Sequence, residues 1–236
     1  HEMRTMMQGT ILADLKRRSG QTTAIRSRVL RTWGNSESGL AEILADRIDE
    51  LDVLGNPTLA FQASGIEGIK VRITAKSADE AAAASILASE EALVRDLLGD
   101  VVFGIDDESM EVVVIERMRE LGLTLGVVEG LTGGVLAARL SEVDVAGHVF
   151  QGALIGVANS HAGEPGATGE DRAVATAKKA RDAFGADVGI AVSLPETLIA
   201  PSPGQTPPPG QVYLGVVIGD KCYSNSTALP GDRNRF

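Results

Sequence analysis

The chain has 236 residues, 44% hydrophobic and 23% charged, the make-up of an ordinary soluble globular protein long enough for two compact units. Its formal net charge of −10 speaks against a nucleic-acid partner, because phosphate binding relies on clustered Lys and Arg. One cysteine, Cys222, excludes an internal disulfide or a cysteine-based zinc site, the three scattered histidines (His1, His148, His161) argue against a histidine-rich metal centre, and no apolar run approaches the roughly 20 residues of a membrane span.

The opening "HEMRTMMQGT" has no methionine at position 1 and no basic-then-apolar layout of a signal peptide, so the chain reads as a piece of something longer. Its lone cysteine fits a reducing, cytoplasmic setting. Residues 1–20 read as a helix that turns polar towards "KRRSG" and stops at Gly20. "TTAIRSRVLRTWG" reads as a strand in which Ile25 and Val29 alternate against Arg26 and Arg28. Those arginines are expected on a solvated face, with an anion site as the alternative.

"NSESGLAEILADRIDELD" predicts a capped helix with Leu40, Ile43, Leu44, Ile48 and Leu51 on one stripe. "PTLAFQAS" and "IKVRITAKS" flank the turn "GIEG" and predict a hairpin. "ADEAAAASILASEEALVRDLLG" predicts a long helix ending at Gly99. Strand, helix, two strands and helix make a small α+β unit with one sheet face covered, expected over 21–100.

From residue 101 to 236 strands and helices alternate, which predicts an α/β layered unit. The segments are "VVFGIDDES", a helical stripe through Met110, Val113, Val114, Met118 and Leu121, "LTLGVV", "TGGVLAARL", "HVFQGALIGV", "EDRAVATAKKARDAFG" and "DVGIAVS". A final strand pair, "QVYLGVVIGD" and "CYSNSTAL", closes it after a proline-rich loop, "LPETLIAPSPGQTPPPGQ".

Chemistry should concentrate at "EGLTGG", residues 129–134, where a strand meets a helix. Glycines let a ligand approach the backbone, and a helix start offers unpaired N–H groups to an anion. Thr132 alone could instead be the helix cap. The motif is neither a dinucleotide fingerprint nor a Walker sequence. "DDES" at 106–109 reads as capping chemistry rather than a metal site, and Ser160 beside His161 reads as a polar loop. "GDRNRF" places Arg233 where its planar fork could grip a phosphate.

Several segments together resemble one family, the competence- and damage-inducible CinA proteins. "HEMRTMM" is similar to the end of the "PGVPxEM" segment that closes the family's first domain. "LRTWGNSESGLAEIL", "GIKVRITAK" and "VFGIDDESMEVVV" resemble its middle region, and "GLTLGVVEGLTGGVLAARL" resembles the start of its C-terminal domain. The resemblance implies a linker helix over 1–20, a small KH-like α+β domain over 21–100 and a layered α/β domain of CinA C-terminal type over 101–236. It also implies that a molybdopterin-binding-like domain, associated with ADP-ribose pyrophosphatase activity, would precede these residues.

The implied activity is nicotinamide mononucleotide deamidation, giving nicotinic acid mononucleotide and ammonia without metal or cofactor, in a homodimer. The family motif "ESCTGG" supplies a serine nucleophile, and here Gly130 stands at the serine position and Leu131 at the cysteine position. A second motif like "YSNEAK" supplies a tyrosine and a lysine, but the matching stretch is "VANSHA", with Val157 at the tyrosine and no lysine before Lys178. "AVTGIAGP" is matched by "AVSLPE", which keeps Ser193, and the family's "GDR" is matched by Gly231, Asp232 and Arg233. The resemblance therefore implies no catalytic residue in place. It leaves Glu129, Gly130, Thr132, Gly133, Gly134, Asn159, Ser193 and Arg233 as substrate-binding positions. The readings left open are an impaired enzyme that still binds the nucleotide, an active hydrolase using Glu129 or His161 to activate water, and a non-catalytic dimerisation scaffold.

Overall fold

The computed structural model describes residues 2–19, 23–63, 65–156, 169–193 and 210–229. The chain divides into two compact units, His1–Met110 and Glu111–Phe236.

The first unit opens with α1 (Glu2–Met6), a π-helical segment (Met7–Ile11) and α2 (Leu12–Ser19). Strand β1 (Ala24–Thr32) is followed by α3 (Glu37–Ile43), α4 (Ala45–Leu54), β2 (Thr58–Ala63), β3 (Ile69–Ser77), α5 (Glu80–Leu98) and β4 (Val102–Ile105). The strands form one antiparallel sheet in the order β2-β3-β1-β4. Because β4 pairs with β1, the division between units falls later than the boundary expected near residue 100.

Local chemistry accounts for the helix ends. Ser36 accepts the Gly39 N–H at 3.1 Å to start α3, and Asp79 accepts the Ala82 N–H at 2.8 Å to start α5. The expected single helix over 35–52 is broken at Leu44 into α3 and α4, and Ile43 is exposed while Leu40, Leu44 and Leu51 are buried. The core joins Leu30, Val71 and Ile73 of the sheet to Leu40, Leu44, Leu87, Val94 and Leu98 of the helices. The bidentate grip of Arg47 on buried Glu90 ties α4 to α5.

The two arginines of β1 lie on a part-solvated face, as expected, Arg26 exposed and Arg28 half-buried, but both are paired. Arg26 donates to Glu80 at 2.5 Å and Arg28 to Glu91 at 2.8 Å, so both reach acids of α5, and Arg28 also contacts Asp106. Ile25, on the other face of the strand, is 64% exposed. The acids of α5 make the helix-covered face the polar one at this end of the strand.

The second unit contains α6 (Met110–Leu121), β5 (Leu125–Glu129), α7 (Val135–Val143), β6 (Phe150–Ile155), α8 (Gly169–Phe184), β7 (Val188–Ser193), β8 (Gly210–Ile218) and β9 (Lys221–Leu229). Its sheet order is β6-β5-β7-β8-β9, with β5 parallel to both β6 and β7 and the last two pairings antiparallel. Helices α6 and α7 pack Ile115, Met118 and Leu140 against Leu125, Val127 and Val188 on one face. Helix α8 packs Ala177 against Ala191 and Val217 on the other.

Glycines decide how α8 lies. A Cβ at Gly215 (β8) would stand 2.3 Å from the Ala173 carbonyl, at Gly189 (β7) 1.9 Å from that of Ala177, and at Gly126 (β5) 2.5 Å from that of Ala180. A Cβ at Gly152 (β6) would stand 2.5 Å from the Phe184 ring. The helix thus crosses the sheet diagonally, from β8 at its first turn to β6 at its last, in backbone contact that only a missing side chain permits.

Candidate functional site

Strands β5, β6 and β7 are parallel, so Glu129, Ile155 and Ser193 end them at one edge of the sheet. Two antiparallel steps turn β9 parallel to β7, and Leu229 ends it at that same edge. The chain leaves β5 towards α7 on one face and leaves β6 towards α8 on the other. Such a reversal opens a crevice outside the carboxyl ends of the strands, where α/β proteins bind ligands.

The turn 130–134 occupies that position. Gly130 donates its N–H to the Val192 carbonyl at 2.9 Å, and Gly156 donates to the Glu129 carbonyl at 3.2 Å, so the turn is stitched to β7 on one side and β6 on the other. Gly133 and Gly134 take positive φ values of 60° and 102°, which L side chains rarely adopt. Leu131 is buried and packs the turn inward.

The centre of the turn is Glu129, whose side chain is 0% exposed. Its Oε2 accepts from Thr132 Oγ1 at 2.5 Å, the Gly134 N–H at 3.0 Å and the Leu136 N–H at 3.1 Å, while Oε1 accepts from the Ala137 N–H at 2.7 Å. The carboxylate serves as the cap of α7 from the end of the preceding strand. This corrects two expectations. Thr132 does not cap the helix; Gly134 is the N-cap residue and has no side chain, and the threonine hydroxyl binds Glu129 instead. The N–H groups of Gly134, Leu136 and Ala137 are also not open to an outside anion, because the protein's own anion already fills the helix start. Among the described residues, the Leu131, Thr132 and Gly133 N–H groups have no acceptor.

Glu129 has all four donors on its two oxygens and no exposed surface, which leaves it no geometry for activating a water molecule. Ser193 is half-buried at the end of β7, one residue beyond the carbonyl that holds Gly130. Val157, Asn159, His161 and Arg233 lie outside the described residues, although the strands preceding them, β6 and β9, end at this edge. The structure therefore gathers Glu129, Gly130, Thr132, Gly133, Gly134 and Ser193 in one place. Two expected bland features are structural: Glu108 accepts the Ile105 N–H at 2.8 Å and Asp106 the Val29 N–H at 3.0 Å. Among the described residues no group of three His, Cys, Asp or Glu could hold a metal ion, and no helix is long and apolar enough to cross a membrane.

The sequence did not single out Tyr213, which borders the end of β7. It is the cross-strand partner of Ser193 and of Ser226, and its ring lies so close to Gly169 that a Cβ there would stand 2.2 Å from it. Its place in an alternating strand beside the β7 end was the available signal.

The geometry defines a small α+β unit followed by an α/β/α unit with a ligand-type crevice. The damage-inducible protein CinA KH domain matches residues 27–104, and the CinA C-terminal domain matches residues 107–236, so the chain belongs to the CinA family. It is 38% identical over 246 residues to a CinA-like protein of Frankia casuarinae, covering 100% of this chain and 56% of that protein. It is 31% identical over 248 residues to a CinA-like protein of Kosmotoga olearia, covering 100% of this chain and 58% of that protein. The chain thus spans little more than half the length of these relatives. A CinA superfamily protein structure from Escherichia coli matches with 21% identity and a TM-score of 0.45, over 52% of this chain and 77% of that one.

Proposed function

We propose that the second unit is a nicotinamide-mononucleotide-binding domain of the deamidase type whose turnover is impaired. The observation that carries the reading is the contrast within one turn. Glu129 holds residues 130–134 in a formed turn, yet Gly130 at the family's serine position has no hydroxyl. Amide hydrolysis by that route needs an activated nucleophile with a base in hydrogen-bond reach. Val157 at the tyrosine position can neither give nor take a proton. Losing such groups costs several orders of magnitude in rate.

The nucleotide's phosphate would be gripped by Arg233 and its amide would lie at Gly130, with Thr132, Gly133, Ser193 and Asn159 as the remaining substrate-binding positions. Calorimetry with nicotinamide mononucleotide should show binding, weakened by Arg233→Ala, and an ammonia-release assay should show almost none. Turnover of roughly 1 per second or more would overturn the impaired reading. Absence of binding would leave a scaffold role.

The scaffold reading has its own support. Edge strand β6 exposes Ile155 (57%), and Val135 at the start of α7 is 54% exposed. Apolar side chains on an open edge suit a symmetric homodimer, the commonest closed assembly. The first unit is read as a spacer rather than a nucleic-acid clamp. KH modules grip the backbone through a GxxG loop, whereas the α3–α4 junction here, Ile43-Leu44-Ala45, has no glycine. The "GIEG" of this unit is the β2–β3 turn, and Glu67 within it bonds Arg31 at 3.0 Å.

A further inference from the structure

Cations gather on one face of the first sheet. Leu30, Val71 and Ile73 turn towards α3 and α5, so the residues that alternate with them in β1 and β3 occupy the opposite face. Cross-strand pairing sets Arg31 beside Lys70, Val29 beside Arg72 and Ile25 beside Lys76 on that face. Arg72, Lys76 and Ile25 are exposed, and Val29 and Lys70 are half-buried.

The charge there is not balanced by the unit itself. Every other Lys or Arg between residues 23 and 110 pairs with an acid, whereas Arg72 and Lys76 have no partner among the described residues. Strands β1, β2 and β3 contain no Asp or Glu, in a chain whose net charge is −10. One carboxylate does reach the face, from the turn before β3. Glu67 accepts from Arg31 at 3.0 Å and pairs with Lys70 at 3.5 Å, which leaves the rows of Arg72 and Lys76 open.

The order of side chains selects the partner. Arg72 and Lys76 stand four residues apart on β3, about 14 Å, and each has an apolar neighbour, Val29 or Ile25. A segment that carries acids on either side of apolar residues complements both features. A nucleic-acid strand fits less well. None of the positions of β1, β2 and β3 on this face is aromatic, whereas single-strand binders stack bases on aromatic rings. Two copies meeting face to face would set these cations against each other.

We infer that the open face of the first sheet is a docking surface for an acidic protein segment. Arg72 and Lys76 take its carboxylates, and Ile25 and Val29 take its apolar side chains. The inference concerns the first unit and is independent of the nucleotide reading of the second.

Fluorescence anisotropy with the full chain tests it, using a dye-tagged peptide of Glu and Leu, its Gln-for-Glu counterpart, and oligo(dT). The Glu peptide should bind the wild type, more weakly as salt rises, and the Gln peptide should bind about tenfold less well. Arg72→Glu combined with Lys76→Glu should weaken the Glu peptide about tenfold or more. Arg72→Gln with Lys76→Gln, which adds no repulsion, should still weaken it about threefold. Both variants should melt with the wild type, since the two side chains are exposed and hold no partner. Variants that bind the Glu peptide like the wild type, a wild type that does not bind it, or tighter binding of oligo(dT) would each overturn the proposal. Salt-sensitive self-association of the wild type that the Glu variant abolishes would overturn it too, by giving the face to a second copy.

Discussion

Ala137 donates its backbone N–H to Glu129 at 2.7 Å, across the whole turn that separates strand β5 from helix α7. The contact makes a strand-end carboxylate the cap of the following helix, and it holds the turn in place from within. Replacing Glu129 by Ala should take the acceptor from three part-buried N–H groups, at about 1 kcal/mol each. The melting temperature should fall by several degrees, since about 1 kcal/mol shifts a chain of this size by ~2–4 °C. Calorimetric melting of E129A beside E129Q checks this, and Gln, which keeps an acceptor, should lose less.

Gly130→Ser tests the turn from the other side. The serine would occupy the family's nucleophile position without a base or lysine to activate it. Ammonia release from nicotinamide mononucleotide should therefore stay near the wild-type level. A large gain from this one change would mean that residues between β6 and α8 supply the base.

Gly189→Ala should be among the most damaging small changes in the second unit. Its Cβ would stand 1.9 Å from the Ala177 carbonyl, so α8 would have to lift from the sheet. Overpacking of this kind costs about 1–3 kcal/mol, occasionally more. Urea unfolding should show a clear drop in midpoint, whereas Gly185→Asn, where a Cβ meets nothing within 4 Å and only the positive φ of 58° costs, should lose less, because Asn tolerates that backbone better than other L residues.

Acid should destabilise the second unit through Asp144. Burial alone would raise its pKa, but the Phe150 and Val149 N–H groups, at 2.8 and 2.7 Å, together with Arg119, hold it below the ordinary value. Asp187 is lowered in the same direction by the Thr124 hydroxyl and N–H. A depressed folded-state pKa stabilises at pH above the unfolded value, about 3.9, and the gain is lost as pH falls through the folded value. Melting temperature should drop below about pH 4, and Asp144→Asn should lower it at neutral pH while flattening the acid limb.

If the exposed β6 edge seats a second copy, Ile155→Lys should shift the protein from dimer to monomer in light scattering without lowering its helix content. A wild-type chain that is already monomeric at micromolar concentration would remove the dimer reading.

Much of this protein follows from local pattern. Alternation and caps place β1, the β2–β3 hairpin, α5 and the α/β order after residue 101, because side-chain periodicity and capping are local properties of the chain. The glycine at residue 130, with no hydroxyl to offer, is likewise a fact of covalent structure that no fold can reverse. Tertiary structure decided the rest. Arg26 and Arg28 turn towards α5 because their acids, Glu80 and Glu91, lie 54 and 63 residues away, beyond any local pattern. Glu129 reads in sequence as one acid before a glycine turn, and only the folded helix start brings it four donors. Glycines on four strands set the slant of α8 and let Tyr213 pack on Gly169, and backbone approach leaves no trace in hydrophobic periodicity.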